Sequence, residues 1–414
     1  MLPIPFTRPS PFGRLVRRSA AREGGSGAAA KADQALRVEV VTDADEFAAL
    51  RTRWNALLSE SRSDCVFLTW EWLWTWWTHL AGDRSLHILL AWDGDGLVGI
   101  APLVRARGTL PWQSRLEFLG TGFAGSDYLD LIVQPDREID VAQAFAASLR
   151  QSSDTLHLDH LPPDSIAASS LLDRLAVTAW TAMQTVIGTC PYIPLTGHTW
   201  DSYLGSIGSA HRANLRRRLR ALDRQFAVRF ALVRTDEERR EALETLIRLH
   251  NRRWDTRGGS TAFPTTECRG FHNDVTRLAL ERGWLRLYEL RLNDEIVAAT
   301  YCFVYSGRCY FYQGAFDDRY QQQSVGMVAM GLTIKAAVEE GAREFDMLFG
   351  VESYKWLWAR HVRSLHRIDL FPSDLAGRLH HGTVRATRSA RALVRRIFPR
   401  RSCTSNTPPA GAVC

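Results

Sequence analysis

The sequence predicts a mixed α/β fold in which one topology is used twice. Three observations carry this reading. Residues 37–161 read as strand, two helices, three strands, helix and strand, and residues 228–359 run through the same order before a last helix. Short polar turns separate the alternating apolar runs, at Asp93–Gly96, Asn293-Asp294 and Ser306-Gly307, which is the signature of antiparallel hairpins. The chain has 414 residues, more than one core of about 150 residues requires. Each half is therefore expected to be a mixed, mostly antiparallel sheet flanked by helices. The expected organisation is a basic, disordered segment over 1–36, an N-terminal domain over 37–190, a C-terminal domain over 191–375 and an Arg-rich tail over 376–414.

Order is expected to begin at the alternating strand LRVEV, after GGSGAAAKAD, which lacks the apolar residues needed to bury a core. Asp43 caps a helix running to about Ser59, with Phe47, Leu50, Trp54 and Leu57 on one face. In FLTWEWLWTWWTHL, Trp70, Leu73, Trp74, Trp77 and Leu80 share a helical face, read as core, with an aromatic-lined pocket as the sharper alternative. LHILLAW, LVGIAPLVRAR, RLEFLG and DYLDLIV read as strands, followed by a helix over 140–150 and the strand TLHLDHL. CPYIPL is read as Pro punctuation between the halves.

In the second half, Asp201–Phe226 reads as helical, Val228–Val233 as a strand, and Glu237–Arg253 and Glu267–Glu281 as helices around a polar loop. Three strands follow, WLRLYELRL, EIVAATYCFVYS and RCYFYQGAF, then a helix over about 325–340 stopped by Gly341. The strand EFDMLF and a short helix over 352–359 close the pattern. Cys302 and Cys309 flank a hairpin with no visible base beside them and are read as core.

The net charge of +7 belongs to the ends: residues 1–36 carry +4 and residues 376–414 carry +8, which leaves −5 for the body. A folded nucleic-acid-binding surface should itself be basic, so no nucleic-acid partner is expected. The Arg-rich tail is instead a candidate contact to an anionic membrane or a synthase partner. Seven scattered cysteines without a CxxC pair argue against structural zinc, and no metal is expected. No apolar run reaches the length of a membrane span and no secretory leader is visible, so a cytoplasmic, at most membrane-peripheral, protein is expected.

Chemistry concentrates between Tyr310 and Trp358. In FYQGAFDDRYQQQSVGMVAMG a strand passes through a short loop into a helix, with Gln321-x-x-Ser324-x-Gly326 at the junction. Small residues there let backbone N–H groups approach a phosphate, and the helix dipole favours its charge. The alternative is an ordinary helix start with Ser324 as its cap. Together with FDMLFGVESYKWLW, HRANLRRRLRALDR and Trp254, this run resembles the acetyltransferase domain of CelD-type cellulose-biosynthesis proteins, in the GNAT superfamily and related to FemAB peptidyltransferases. Ser324 stands where the GNAT pattern Q/R-x-x-G-x-G/A has its first glycine.

The resemblance implies tandem GNAT-like domains and transfer of an acyl group, expected to be acetyl, from acyl-CoA to an amine or hydroxyl of a small-molecule or saccharide acceptor in exopolysaccharide or cell-envelope synthesis. Gln321, Gln323, Ser324, Val325 and Gly326 would hold the donor's pyrophosphate. Asp346 and Glu352 are candidate bases and Tyr354 a candidate acid for the leaving thiolate. Arg212, Arg216, Trp254 and Lys355 are candidate substrate contacts. His211 and His250 are read as packed or exposed. Two alternatives remain: a FemAB-like aminoacyl-tRNA-dependent transferase, and a non-catalytic GNAT-like module of a polysaccharide synthase.

Overall fold

The computed structural model describes residues 35–108, 113–177, 180–255, 262–374, 377–378 and 381–383, with only the backbone of 254–255. Most of the N-terminal segment, most of the Arg-rich tail and the Trp254 side chain, all singled out above, lie outside the described residues.

The first half runs β1 (Arg37–Val41), α1 (Ala44–Ala49), α2 (Arg51–Glu60), α3 (Trp70–Leu80), β2 (Ser85–Leu86), β3 (Ile88–Asp93), β4 (Gly96–Ala101), β5 (Leu103–Arg107), β6 (Ser114–Phe118), β7 (Ile132–Val133), α4 (Glu138–Leu149) and β8 (Thr155–Leu161). After α5 (Leu172–Ala176), β9 (Thr181–Pro194) crosses to the second half. There follow α6 (Trp200–Ser206), α7 (Ser209–Gln225), β10 (Val228–Leu232), α8 (Asp236–Asp255), α9 (Thr266–Glu281), β11 (Leu285–Leu292), β12 (Glu295–Tyr305), β13 (Arg308–Phe316), α10 (Val325–Glu339), β14 (Glu344–Asp346) and β15 (His361–Phe371).

Local chemistry explains most boundaries. The Asp43 side chain accepts from the amides of Asp45 and Glu46 and starts α1. Asn293 and Asp294 (φ 50° and 67°), like Ser306 and Gly307 (φ 46° and 74°), take the left-handed backbone that a two-residue hairpin turn needs. Gly341, at φ 76°, ends α10.

The duplicated topology is visible in the pairing. In each half the parallel pair, β6 with β8 and β13 with β14, is joined through a helix, α4 or α10, while the other described pairs are antiparallel. The sheets are not separate, however. A four-stranded sheet, β1-β3-β4-β7, accompanies an eleven-stranded sheet ordered β10-β11-β12-β13-β14-β9-β15-β8-β6-β5-β2. The boundary expected at 190/191 falls inside β9, and β15, from the far end of the second half, lies between β8 and β9.

One hydrophobic core runs through both halves. The Trp-rich helix α3 packs on α9, and Trp72 meets Phe271, Phe303 and Tyr312 edge-on at 5.1–5.8 Å. Its indole N–H donates to Ser126 Oγ at 2.8 Å. These rings fill the interior, in line with the core reading of this helix. Cys302 and Cys309 are buried, as expected. Only Ile132–Val133 of DYLDLIV is a strand, and the short helix expected over 352–359 contracts to a 3-10 turn, Lys355–Leu357.

Candidate active site

The parallel partners β13 and β14 are in register for three pairs, Arg308–Glu344 to Tyr310–Asp346; β14 then ends while β13 continues to Phe316. Within the same stretch the β12–β13 register slips: Tyr301 faces Gln313, Cys302 faces Phe311, and Tyr312 is left as a bulge. The result is a splayed opening with backbone groups on one side. Gly314 N–H donates to the Gln313 side-chain oxygen at 3.0 Å.

A cavity of about 680 Å³ opens at this splay. Its walls come from β12 (Ala299, Thr300), β13 (Phe311, Gln313–Phe316), the start of α10 (Ser324, Gly326, Met327), the 352–358 segment (Glu352, Tyr354, Leu357, Trp358) and α8 (His250, Arg253).

Ser324 precedes α10 with φ 57° and ψ 41°, and its side chain makes no cap hydrogen bond. The ordinary serine cap is therefore absent, and no acidic side chain occupies the first turn. The left-handed residue instead turns the chain so that the helix begins at the cavity wall. Gly326 is required by space: a Cβ there would lie 2.5 Å from Phe316 Cδ1. The preceding loop is pinned by Asp317, which accepts from the Arg319 amide at 2.9 Å, and by Arg218, which donates to the Gln322 carbonyl at 2.6 Å. A helix start with uncommitted N–H groups, at the end of an apolar cleft, suits a phosphate-bearing ligand.

The residues expected from sequence divide. Gln321, Ser324, Gly326, Glu352 and Tyr354 line the cavity. Val325 is buried beside Val328 and Leu222, and Gln323 is not in the wall. Asp346, a candidate base from the sequence, does not line the cavity. It is fully buried outside the cavity, accepts from Tyr128 Oη (2.6 Å), the Leu348 amide (2.8 Å) and Arg363 (3.1 Å), and joins the two halves. Burial pushes its carboxyl up to about 6 despite these donors. Lys355 is likewise turned inward. Its ammonium donates to the carbonyls of Leu348 (3.2 Å) and Phe349 (2.9 Å) and pairs with Glu352 at 3.0 Å, so it shapes the loop instead of reaching an acceptor. Arg212 donates to the carbonyls of Leu204 and Gly205 near the end of α6, and Arg216 stands 3.9 Å from Asp201; neither lines the cavity.

Among the lining residues not picked out as site residues from sequence, two on α8 bring titratable groups to the wall. The Arg253 guanidinium sits 4.2 Å from the centre of the Phe316 ring, bringing a cation to the wall. His250, one turn earlier on α8, is kept neutral: burial, then the nearby Arg253 charge, lowers its pKa to about 4. The i, i+3 spacing of His250 and Arg253 was the available signal. Tyr354, two-fifths exposed, keeps its proton, since partial desolvation and then the Glu352 charge raise its pKa. Among the described residues, no group of His, Cys, Asp or Glu is arranged to hold a metal ion, and no helix is long and apolar enough to cross a membrane.

Comparison with known proteins agrees with this geometry. A family model described as an acetyltransferase (GNAT) domain matches residues 209–356. Among solved structures, FemX is similar at 12% identity and a TM-score of 0.56, with 80% of this chain and 96% of that chain covered. A conserved protein of Bacteroides thetaiotaomicron is similar at 11% identity and a TM-score of 0.52, with 80% and 100% covered. No curated protein matches the sequence significantly. At such identities the structural likeness is one of fold. Residues 209–356, which hold the splay, the start of α10 and most of the cavity wall, are thus similar to an acetyltransferase (GNAT) domain, in a chain whose fold is similar to that of FemX.

Proposed function

We propose that this protein is an acyltransferase that moves an acyl group, acetyl in the simplest case, from acyl-CoA to an amine or hydroxyl. The observation that carries the reading is the uncapped, left-handed start of α10 opening on a cavity that continues into the β13–β14 splay. The donor's pyrophosphate rests on the first-turn amides of α10, and Arg253 adds a cation. The thioester reaches the splay, where its carbonyl oxygen displaces the Gln313 side chain from the Gly314 N–H, which stabilises the charge that develops there. Tyr354, held protonated, supplies a proton to the departing thiolate. Much of the acceleration comes from holding donor and acceptor in line. The acceptor belongs to cell-envelope or exopolysaccharide chemistry in this reading, and the protein works in the cytoplasm or against its membrane.

Calorimetric titration with acetyl-CoA and with CoA tests the donor. Binding in the micromolar range supports the reading; the absence of heat with both refutes it. A second reading, aminoacyl transfer from charged tRNA, is favoured by the FemX-like fold and by α7, which carries six arginines and one acid. Labelling of an acceptor by aminoacyl-tRNA without any CoA ester would establish that reading instead. Binding of a synthase partner with no affinity for either donor would mark a non-catalytic module.

A further inference from the structure

Among the described residues, eight non-glycine residues adopt positive φ. Asp136, Asn293, Asp294 and Ser306 are in turns, and Ser324 starts α10. The remaining three, Tyr128 (φ 59°), His160 (φ 59°) and Leu348 (φ 56°), meet at one place between the two halves. Strain of this kind persists only where the surroundings over-determine it, and it gathers at functional sites. Here the surroundings form one network. Tyr128 Oη donates to Asp346 Oδ2, and the Leu348 amide donates to Asp346 Oδ1. The Leu129 amide donates to the His160 carbonyl at 3.1 Å. Asp127, 1% exposed, receives the Phe349 amide on one oxygen at 2.7 Å and faces His160 Nδ1 with the other at 2.8 Å.

The product is an imidazole oriented through Nδ1 by a buried carboxylate. The His160 side chain is 27% exposed, and its Nε2 has no hydrogen-bond partner among the described residues. Its place matters. The 120–128 loop reaches the β13 bulge, where Tyr312 Oη donates to the Ala124 carbonyl at 2.7 Å. The 347–350 segment is the exit of β14, and the His160 ring lies 5.4 Å from the Phe349 ring. The first half thus packs against both the β13 bulge and the exit of β14, the two strand segments that part at the splay. The 120–128 loop and the 347–350 segment each carry an exposed ring, Phe123 and Phe349.

We propose that His160, oriented by Asp127, is the general base for the acceptor and that the first half supplies it. The assignment rests on the acyl-transfer reading above. The acceptor enters between Phe123 and Phe349 with its nucleophilic N–H or O–H toward Nε2. Its lone pair forms a bond to the thioester carbonyl carbon while His160 takes the proton. The C–S bond then breaks, the thiolate receives a proton from Tyr354, and both side chains re-equilibrate with solvent. Asp346, fully buried with its carboxylate engaged by Tyr128, Leu348 and Arg363, and Glu352, paired with Lys355, are relieved of this role. The charges around the imidazole fit the task. Burial opposes its protonation, but the hydrogen bond and charge of Asp127, with Asp159, outweigh burial and the opposing charge of Arg367, so its pKa is raised. His157 is engaged with Asp369 at 2.5 Å, and burial first, then Asp127, keeps the Cys190 thiol protonated.

The experiment uses the full chain, acetyl-CoA and water as the acceptor, with CoA thiol release followed over roughly pH 5 to 9. The wild type should show a rate that rises along one limb with a pKa above the ordinary histidine value of about 6.5. His160→Asn is the first variant because asparagine tolerates left-handed backbone. It should lose the limb and at least about tenfold in rate, with acetyl-CoA affinity kept. Asp127→Asn should move the limb to lower pH. Persistence of the limb in folded His160→Asn overturns the proposal, as does a wild type that binds acetyl-CoA without hydrolysing it. A wild type that does not bind acetyl-CoA removes the donor reading itself, and this base with it.

Discussion

Ser324 offers a test in which two substitutions at one atom pair have opposite outcomes. The residue holds φ 57° and ψ 41° immediately before α10. A non-glycine residue in this region is strained by about 1–2 kcal/mol. Ser324→Gly removes that strain but adds about 0.5–1 kcal/mol of unfolded-chain entropy, so the net gain in stability is about 0.5 kcal/mol. It also restores the glycine of the pyrophosphate-loop pattern, and acetyl-CoA affinity should hold or rise. Ser324→Val places a β-branched residue where its backbone cannot stay left-handed. The turn must open, and at least one first-turn N–H swings away from the phosphate. A hydrogen bond to a charged group contributes about 1.5–3 kcal/mol, so affinity should fall about 10- to 100-fold. Urea unfolding and calorimetric titration with acetyl-CoA measure both quantities. A folded Ser324→Val protein with wild-type affinity would refute the claim that the α10 start binds the donor.

Three further outcomes follow from buried groups. Asp346→Ala leaves Arg363 and Tyr128 without their shared partner and should cost about 3–5 kcal/mol in urea unfolding, whereas Glu352→Gln, at the cavity wall, should leave stability within about 0.5 kcal/mol. His272 is fully buried with neither ring nitrogen hydrogen-bonded, so His272→Phe should stabilise by about 1–2 kcal/mol. Burial lowers the folded His272 pKa to about 3, so the unfolded chain binds a proton that the folded one does not; wild-type stability should decline as pH falls below about 6.5, and this decline should be shallower in His272→Phe. Glu71 takes hydrogen bonds from Asn55, Arg51 and Arg282, and Glu71→Ala should cost about 1–3 kcal/mol, discounted because both arginines are two-fifths exposed. Thermal unfolding across these variants checks the order.

The duplicated topology was legible because hairpin turns and helix ends are local signals: Asp43, Asn293-Asp294 and Gly341 act within a few residues of themselves. The two strands that join the halves were hidden by their surroundings. In HVRSLHRIDLF, Arg363 pairs with Glu344 and Asp346, Arg367 with Asp159, and Asp369 with His157, so charges satisfied by neighbouring strands replace the apolar alternation. In β9, Pro191 reads as a breaker, yet the structure uses its carbonyl, which accepts from the Met347 amide at 2.9 Å. Asp127 and Asp130 look like residues of an ordinary strand in DYLDLIV. Their carboxylates instead bind the backbone of Phe349, Ile166 and Ala167, and the segment is mostly coil. At the site, the Gln321-x-x-Ser324-x-Gly326 spacing is a weak signal alone and gains weight from the resemblance of the surrounding run; the structure puts Gln321, Ser324 and Gly326 in the cavity wall. The choice among Asp346, Glu352 and a histidine nearly two hundred residues upstream depends on which carboxylates are enclosed, and that is decided by tertiary pairing.

The place of β15 has a consequence for how the chain is made. Its partners β8 and β9 are synthesised some two hundred residues before it, and until His361–Phe371 emerges both present unpaired edges. Sequential folding of an N-terminal domain ahead of a C-terminal one, usual for two-domain chains, would therefore leave this protein's first half with an open seam. Emergence of residues 361–371 supplies the strand that closes this seam and ties both halves together. A stop between β14 and β15 should yield a chain that aggregates as a whole, in place of a soluble first half with a damaged second.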